Sequence, residues 1–367
     1  MLIRPIQYRD LESVRKLYDE TEKSHTFPQA GILKPGRGIH RLYGAVKLLS
    51  FFRNPMQSVF CVHVAQMDGQ IVGIVQVRPI NTIHSTWQVE HIAVSPEVRG
   101  QGIGTRLLRH VFEYYREARN WTVEVDIHNK GGLALYRQNG FQSLAQFCYW
   151  RLSSQVLTKL STYEGQALNL RPVSNADASL LCQLDASTMP PMVRQIYDRH
   201  PNDFHRGVIT RALGTVGRLV NHTQRVAQYV YEKERQAAIG AFDLLLSSTG
   251  LEPHYAHLLV HPAYTWLYPQ LAMHMACILQ NYPPQALHLV STDYQSEREE
   301  FLESLDAEVI ERKLLMSRSV WHKVRESRKA LEGLQIPEML PGFSMRPPIA
   351  ERIQQEETRQ DPPSTGW

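Results

Sequence analysis

The sequence predicts a mixed α/β protein built as two similar halves, and three observations carry that expectation. Several short runs alternate apolar and polar residues, the period of a half-buried strand, while other stretches repeat apolar residues every three or four positions, as a helix does. Between the runs Val59 to Gln66 and Ile71 to Arg78 stands Met67-Asp68-Gly69-Gln70, where Asp-Gly is a strong signal for a tight hairpin turn. Landmarks of the first half also recur in the second. Pro5 of Ile3-Arg4-Pro5 and Pro172 of Leu170-Arg171-Pro172 lie 167 residues apart, as do Gly73 and Gly240, and Val94-Ser95-Pro96 precedes Val260-His261-Pro262 by 166. A period this long marks a duplicated domain and not a solenoid unit, the alternative being chance agreement between short apolar strings.

The elements follow in order. A strand over residues 2–6 opens the chain, and Asp10 can cap a helix in which Leu11, Val14, Leu17 and Tyr18 share one side. The antiparallel hairpin at Asp68-Gly69 comes next. Val89 to Val94 reads as a buried strand, and Trp121, Val123, Val125 and Ile127 alternate with polar residues as a further strand. Between them lies a helix with Leu107, Leu108, Val111, Phe112 and Tyr115 facing inward and Arg106, Arg109, Glu113 and Arg116 outward, which makes a βαβ crossover. A short helix around Leu133 to Asn139 stops at Gly140, suited to a left-handed cap, and a strand starts at Phe141. The expected organisation is a first domain over 1–152, a polar linker over 153–169, a second domain over 170–334 and a Pro-rich tail over 335–367, extended or disordered.

Composition narrows the function. With 40 Lys+Arg against 36 Asp+Glu the formal charge is +4, too balanced for a dedicated nucleic-acid binder but compatible with an anionic ligand. No stretch reaches the roughly 18 consecutive apolar residues of a membrane span. Arg4, Arg9 and Asp10 interrupt the N-terminus where a secretory leader needs an apolar core, so export by that route is not expected. Cys61, Cys148, Cys182 and Cys277 are dispersed, with no metal-knuckle or redox spacing, which fits a reducing cytoplasm.

The most informative segment is VEHIAVSPEVRGQGIGTRLL, residues 89–108, which sets Arg99, Gly100, Gly102 and Gly104 between a buried strand and a helix start. Glycines there let a ligand approach the backbone, and the first amides of the helix lack intrahelical acceptors, a nest that suits a pyrophosphate. Tight packing of the turn is the competing explanation. A P-loop is excluded because Thr105-Arg106 follows Gly104 where Gly-Lys-Ser/Thr is needed. A dinucleotide fingerprint is excluded because neither Gly100-x-Gly102 nor Gly102-x-Gly104 has glycine at the required third position.

Arg99-x-x-Gly102-x-Gly104 after Ile92-Ala93-Val94-Ser95-Pro96 resembles the acyl-CoA signature of the GNAT superfamily of N-acetyltransferases. Asn129, and Tyr136 within LALYRQNGF, resemble the second family signature and follow in family order, so the resemblance covers about residues 2–152. It implies tandem GNAT-like domains, each a mixed, mostly antiparallel sheet flanked by helices. It further implies an acetyl-CoA-dependent N-acetyltransferase acting by direct ternary-complex transfer to an amine acceptor, a small molecule or a protein amine. The coenzyme would lie in a V-shaped split between the strands ending at Val94 and Ile127. Amides around Gly100, Gly102, Ile103, Gly104 and Thr105 would hold its pyrophosphate, backbone groups of Ile92, Ala93 and Val94 would pair with pantetheine and polarise the thioester, and Arg99 and Asn129 would also bind the coenzyme. Tyr136 would protonate the departing thiolate; as a core aromatic it would only pack. An ammonium acceptor must lose a proton before attack. Glu90, on the same strand face as Ile92, is the candidate base, with a salt-bridged structural role as the alternative. Gln88, where other members keep their base, is unable to serve, and His91 is expected on the opposite face.

The second half departs from this pattern. Val260-His261-Pro262 is followed by Ala263-Tyr264-Thr265-Trp266-Leu267-Tyr268-Pro269, which has no glycine and in which bulky Trp266 and Tyr268 would obstruct a close backbone approach, and Phe301 stands about where Tyr136 does. A degenerate, noncatalytic copy is expected. His257 and His261 on one strand lie about 13 Å apart, too far to share a metal ion, and none is expected. The segment His25 to Gln57, with Lys34, Arg37, His40, Arg41 and the apolar run Val46 to Phe52, is the expected seat of acceptor specificity, or its basic residues form a solvated helix face. The non-enzymatic alternative is a CoA-sensing or protein-interaction module.

Overall fold

The computed structural model describes residues 1–21, 61–163, 168–205 and 223–320. The expected acceptor segment at His25 to Gln57 and the Pro-rich tail lie outside the described residues. So does the far end of the second domain, past residue 320.

Strand β1 (Leu2–Pro5) is an edge strand, and Arg4 reaches from it to Asp10 at 2.5 Å. Asp10 also accepts from the Gln7 amide, so it closes a short 3-10 turn and leads into helix α1 (Leu11–Thr21). The hairpin of β2 (Val62–Met67) and β3 (Gln70–Pro79) turns at Asp68 and Gly69, with φ of 50° and 85°, the left-handed pair that Asp-Gly favours. Then come β4 (Thr86–Val94), α2 (Ile103–Tyr114), β5 (Asn120–Asp126), α3 (Lys130–Gln138) and β6 (Gln142–Leu152). Gly140, at φ 81°, ends the α3 segment as expected. Residues expected as linker instead include α4 (Ser154–Ser161), capped by Ser153, whose Leu157 and Leu160 are buried in the second lobe's core.

The second half runs β7 (Leu170–Pro172), α5 (Ala178–Thr188), α6 (Pro191–Tyr197), β8 (Thr223–Glu232), β9 (Ala237–Ser247), β10 (His254–Val260), α7 (Leu267–Leu279), β11 (Leu287–Thr292), α8 (Ser296–Ser304) and β12 (Glu308–Ser319). All the described strands join one twelve-stranded sheet in the order β1-β2-β3-β4-β5-β12-β6-β11-β10-β9-β8-β7. The last strand of each half has changed places: β12 pairs with β5 of the first lobe, and β6 pairs with β11 of the second. Leu315 and Met316 of β12 are fully buried, so the first lobe's sheet is completed only by residues that arrive some 160 positions later. Residues 1–322 accordingly form a single compact unit.

The repeat is visible in packing. A Cβ on Gly73 would stand 3.1 Å from Leu107 and 3.3 Å from Ile103 of α2, and one on Gly240 would stand 3.0 Å from Leu267 and 3.3 Å from Leu271 of α7. Both glycines let the crossover helix lie close on the strand beneath. Among the described residues no helix is long and apolar enough to cross a membrane.

Candidate active site

Strands β4 and β5 pair in parallel only from Thr86–Asn120 to Val89–Val123. Beyond Val89 the ladder between them stops, while β4 stays paired with β3 as far as Val94. The result is the expected V-shaped split. Ser95 donates to the Val72 carbonyl at 2.9 Å, which fixes the alternation along β4. Ala93, paired with Ile74, turns its backbone groups to β3, and its side chain is buried beside Val14 and Leu17 of α1. Ile92 and Val94 turn theirs to the split. The expectation for Ala93 is therefore corrected, because its amide and carbonyl are already committed to the sheet.

Past Val94 the chain makes a 3-10 turn at Pro96–Val98 and enters α2 through Gly102. Gly100 and Gly102 have φ of 79° and 77°, and no atom lies within 4 Å of where a Cβ would stand on either. Only glycine adopts this backbone without strain. Gly102 is the N-cap and carries no capping side chain, so the amides of Ile103, Gly104 and Thr105 begin the helix without an intrahelical acceptor. Arg99 folds back to donate from Nε to the Val94 carbonyl at 3.0 Å, tying the turn to the end of β4. Gly104 has a different role: a Cβ there would meet Leu135 at 3.2 Å, so this glycine admits α3 against α2. Thr105 Oγ1 accepts from Asn139 at 3.3 Å across the same contact.

On the far side of the split, Asn129 caps α3, its Oδ1 accepting from the Gly132 amide at 2.9 Å. Tyr136 is buried in the first lobe's core, edge-on to Phe141 with ring centroids 5.5 Å apart. Burial pushes its phenol up from the usual range, so it stays protonated at neutral pH.

Glu90 stands at a bulge, since Gln76 pairs with His91 and Val77 with Val89. The extra residue breaks the period of two. Ile92 packs into the α2 side of the sheet, whereas Glu90 meets Gln76 and Arg78 on the α1 side, so the expectation that Glu90 and Ile92 share a face is corrected. The same bulge removes the simple face argument for His91. Gln76 Nε2 donates to Glu90 Oε2 at 2.7 Å, and the Arg78 guanidinium forms a 2.6 Å ion pair with Oε1, close in distance but without hydrogen-bond alignment. The carboxylate is largely buried, at 6% exposed. Gln88 and Glu124 extend this cluster, joined at 3.0 Å, and Tyr149 of β6 donates to Glu124 at 2.6 Å. Sequence reasoning missed Arg78, Glu124 and Tyr149. Polar residues at every second position, Gln76-x-Arg78, Gln88-x-Glu90 and Thr122-x-Glu124, were the available signal, but they show a face and not its partners.

In the second lobe β10 and β11 pair only over His254–Ala256 and then diverge in the same way. Here Arg298 of α8 spans the opening, donating to the Leu258 carbonyl at 2.6 Å and to the Val290 carbonyl at 3.0 Å. Counted from the helix start, Arg298 stands where the first lobe has Gly132, and Leu302, not Phe301, stands where it has Tyr136. Tyr268 is buried and stacked on Phe301. His254 and His261 each accept a backbone amide, from Ser247 and Ala263, at 3.1 Å.

Residues 29–141 match the profile of the acetyltransferase (GNAT) family. An N-acetyltransferase 8F1 of Mus musculus is 32% identical over 101 residues, covering 25% of this chain and 46% of that protein. The N-alpha-acetyltransferase RimI of Mycobacterium tuberculosis is 35% identical over 91 residues, 24% of this chain and 57% of that protein. The chain thus spans about half the length of the curated relatives it matches. Among solved structures, a tandem GNAT protein from the clavulanic acid biosynthesis pathway superposes with a TM-score of 0.55 at 14% identity, over 87% of this chain and 98% of that one, a likeness of fold. Residues 29–141 thus carry the sequence pattern of the acetyltransferase (GNAT) family, and the fold of the chain is like that of a tandem GNAT protein.

Proposed function

We propose that this protein transfers an acetyl group from acetyl-CoA to an amine by direct attack within a ternary complex, using the first lobe alone. The observation that carries the reading is the uncapped start of α2, where two left-handed glycines leave space in front of free helix amides at the mouth of the β4–β5 split. Such a turn fits a diphosphate: amides of the 99–105 turn would bind it, backed by the positive end of the helix. Ile92 and the Val94 amide would hold pantetheine and draw electron density from the thioester carbonyl. Asn129, at the head of α3, would face the other arm of the coenzyme. Tyr136, kept protonated by burial, would supply a proton to the leaving thiolate, and Glu90 would accept one from the acceptor ammonium.

The second lobe is read as a noncatalytic copy, since its split is bridged by Arg298 and its turn has no glycine. A division of labour between lobes 1–152 and 170–334 is part of this reading, with β6 and β12 exchanged. The four dispersed cysteines, none joined in a disulfide, suit a cytoplasmic setting.

The test follows thiol release from acetyl-CoA with a panel of primary amines comprising amino acids, aliphatic diamines and a peptide with a free α-amino group. Release that depends on the amine supports transfer. Tight CoA binding with no release supports the rival, a CoA-sensing or interaction module, which the ion-paired state of Glu90 favours.

A further inference from the structure

A chain of side chains from β3, β4, β5 and β6 runs along the sheet face opposite α2, its last link reaching over β12. It starts at Glu90, held by Gln76 and Arg78 of β3. Arg78 Nη2 donates to Gln88 Oε1 at 2.6 Å, Gln88 Nε2 donates to Glu124 Oε1 of β5 at 3.0 Å, and the Tyr149 hydroxyl of β6 donates to Glu124 Oε2 at 2.6 Å. The Gln88 amide sits between a cation and an anion, so only one orientation satisfies both ends: oxygen toward the guanidinium, nitrogen toward the carboxylate. Gln88 and Tyr149 are 4% and 5% exposed, where solvent does not replace a broken link. An amide does not titrate, so Gln88 fixes the orientation of the groups it joins and does not relay protons between them.

The second lobe grips the near end of this chain. Thr86 Oγ1 donates to the Ile196 carbonyl at 2.6 Å and Ser85 Oγ to Asp198 at 2.7 Å, which docks the end of α6 on the start of β4. The Tyr197 phenol that follows Ile196 lies within the electrostatic reach of both Glu124 and Arg78, and burial pushes it up.

The geometry points to Arg78, Gln88, Glu124 and Tyr149 as positioning residues for Glu90, an assignment that rests on reading Glu90 as the proton acceptor. Tyr149 lies on the strand that the exchange delivers to the second lobe's sheet. The aim of the first lobe's carboxylate is thereby coupled to a lobe whose own split is bridged, which gives the second copy a part in the chemistry. Gln88, unable to act as a base, becomes the link between two carboxylates.

A double-mutant cycle on the full chain tests this, with acetyl-CoA and whichever panel amine the wild type turns over fastest. Q88M is expected to lower kcat about tenfold and Y149F about threefold, each with an unchanged KM for acetyl-CoA. Because Gln88 acts through Glu90, the E90Q/Q88M double variant should be no slower than E90Q alone. Losses that multiply, or Q88M at the wild-type rate, would overturn the assignment, since a merely structural residue does not lose its effect when Glu90 is gone. E90Q at the wild-type rate would instead remove the reading of Glu90 as base, and no amine-dependent turnover at all would remove the proposed activity; either takes this assignment with it. CoA binding and melting curves show that each variant is folded. If Q88M fails to fold, Y149F, which deletes one hydroxyl, runs the same cycle against Glu90.

Discussion

Replacing Gly102 with Glu separates the phosphate role of the turn from its packing. Outside its chain neighbours no heavy atom lies within 4 Å of a Cβ at this position, so the new side chain starts into open space. The folding cost is that of holding an ordinary residue at φ 77°, about 1–2 kcal/mol. In a protein of this size that amounts to a few degrees in melting temperature. The carboxylate would then stand at the start of α2 and compete with a diphosphate for the same amides. Two unit charges at about 4 Å repel by about 4 kcal/mol at an effective dielectric near 20, and screening at an exposed turn reduces this. A remaining loss of about 2 kcal/mol weakens CoA binding by about thirtyfold. Gly102→Ala carries the same backbone cost without the charge and should stay within about threefold of wild type. Titration calorimetry with CoA, alongside melting curves, reads both quantities. A folded G102E that binds CoA as tightly as the wild type would refute the phosphate reading, and equal losses in both variants would assign the effect to the backbone alone.

Three further outcomes are expected. Tyr136→Phe should lower turnover while CoA affinity stays within about twofold, and an unchanged rate in the thiol-release assay would leave this ring as a core aromatic only. Arg298→Met strips the donors from two carbonyls in the second lobe's split and should cost about 2–6 kcal/mol in chemical denaturation, with CoA affinity unaltered. A matching loss of affinity would contradict placing the coenzyme in the first lobe. His63 is 1% exposed, its nitrogens engaged by Tyr115 and His110, and burial drops it from 6.5 to about 4. The unfolded chain therefore takes up this proton first as pH falls, and stability from His63 that is complete above about 6.5 is lost down to about 4, roughly 3 kcal/mol in all. His63→Phe should flatten that part of the stability profile; an unchanged slope between pH 6.5 and 4 would show the imidazole titrating normally.

Much of the first lobe was legible because its signals are local. Asp68-Gly69 named its turn, Gly140 its cap, and Arg99 to Gly104 sit where β4 hands over to α2. The duplication was legible for the same reason, since Gly73 and Gly240 answer one packing demand under α2 and α7. What escaped was non-local. The exchange of β6 and β12 depends on pairings such as Leu314 with Val125 and Leu289 with Trp150, which no periodicity encodes. The bulge at Glu90 leaves an unremarkable alternation in the sequence yet moves the carboxylate to the other face. Gly104 looked like its two neighbours in the motif, and only the approach of Leu135 shows that it serves the contact with α3. Arg298 sat in an ordinary acidic helix, with nothing to mark a buried guanidinium that bridges two strands.

Where the coenzyme binds decides between the lobes, and a crystal structure of the protein grown with CoA reads that position. One coenzyme per chain is expected, its diphosphate on the amides of residues 99–105 and its pantetheine arm between β4 and β5. Coenzyme bound across β10 and β11 with Arg298 displaced, or a first-lobe split filled by the protein's own side chains, would contradict it.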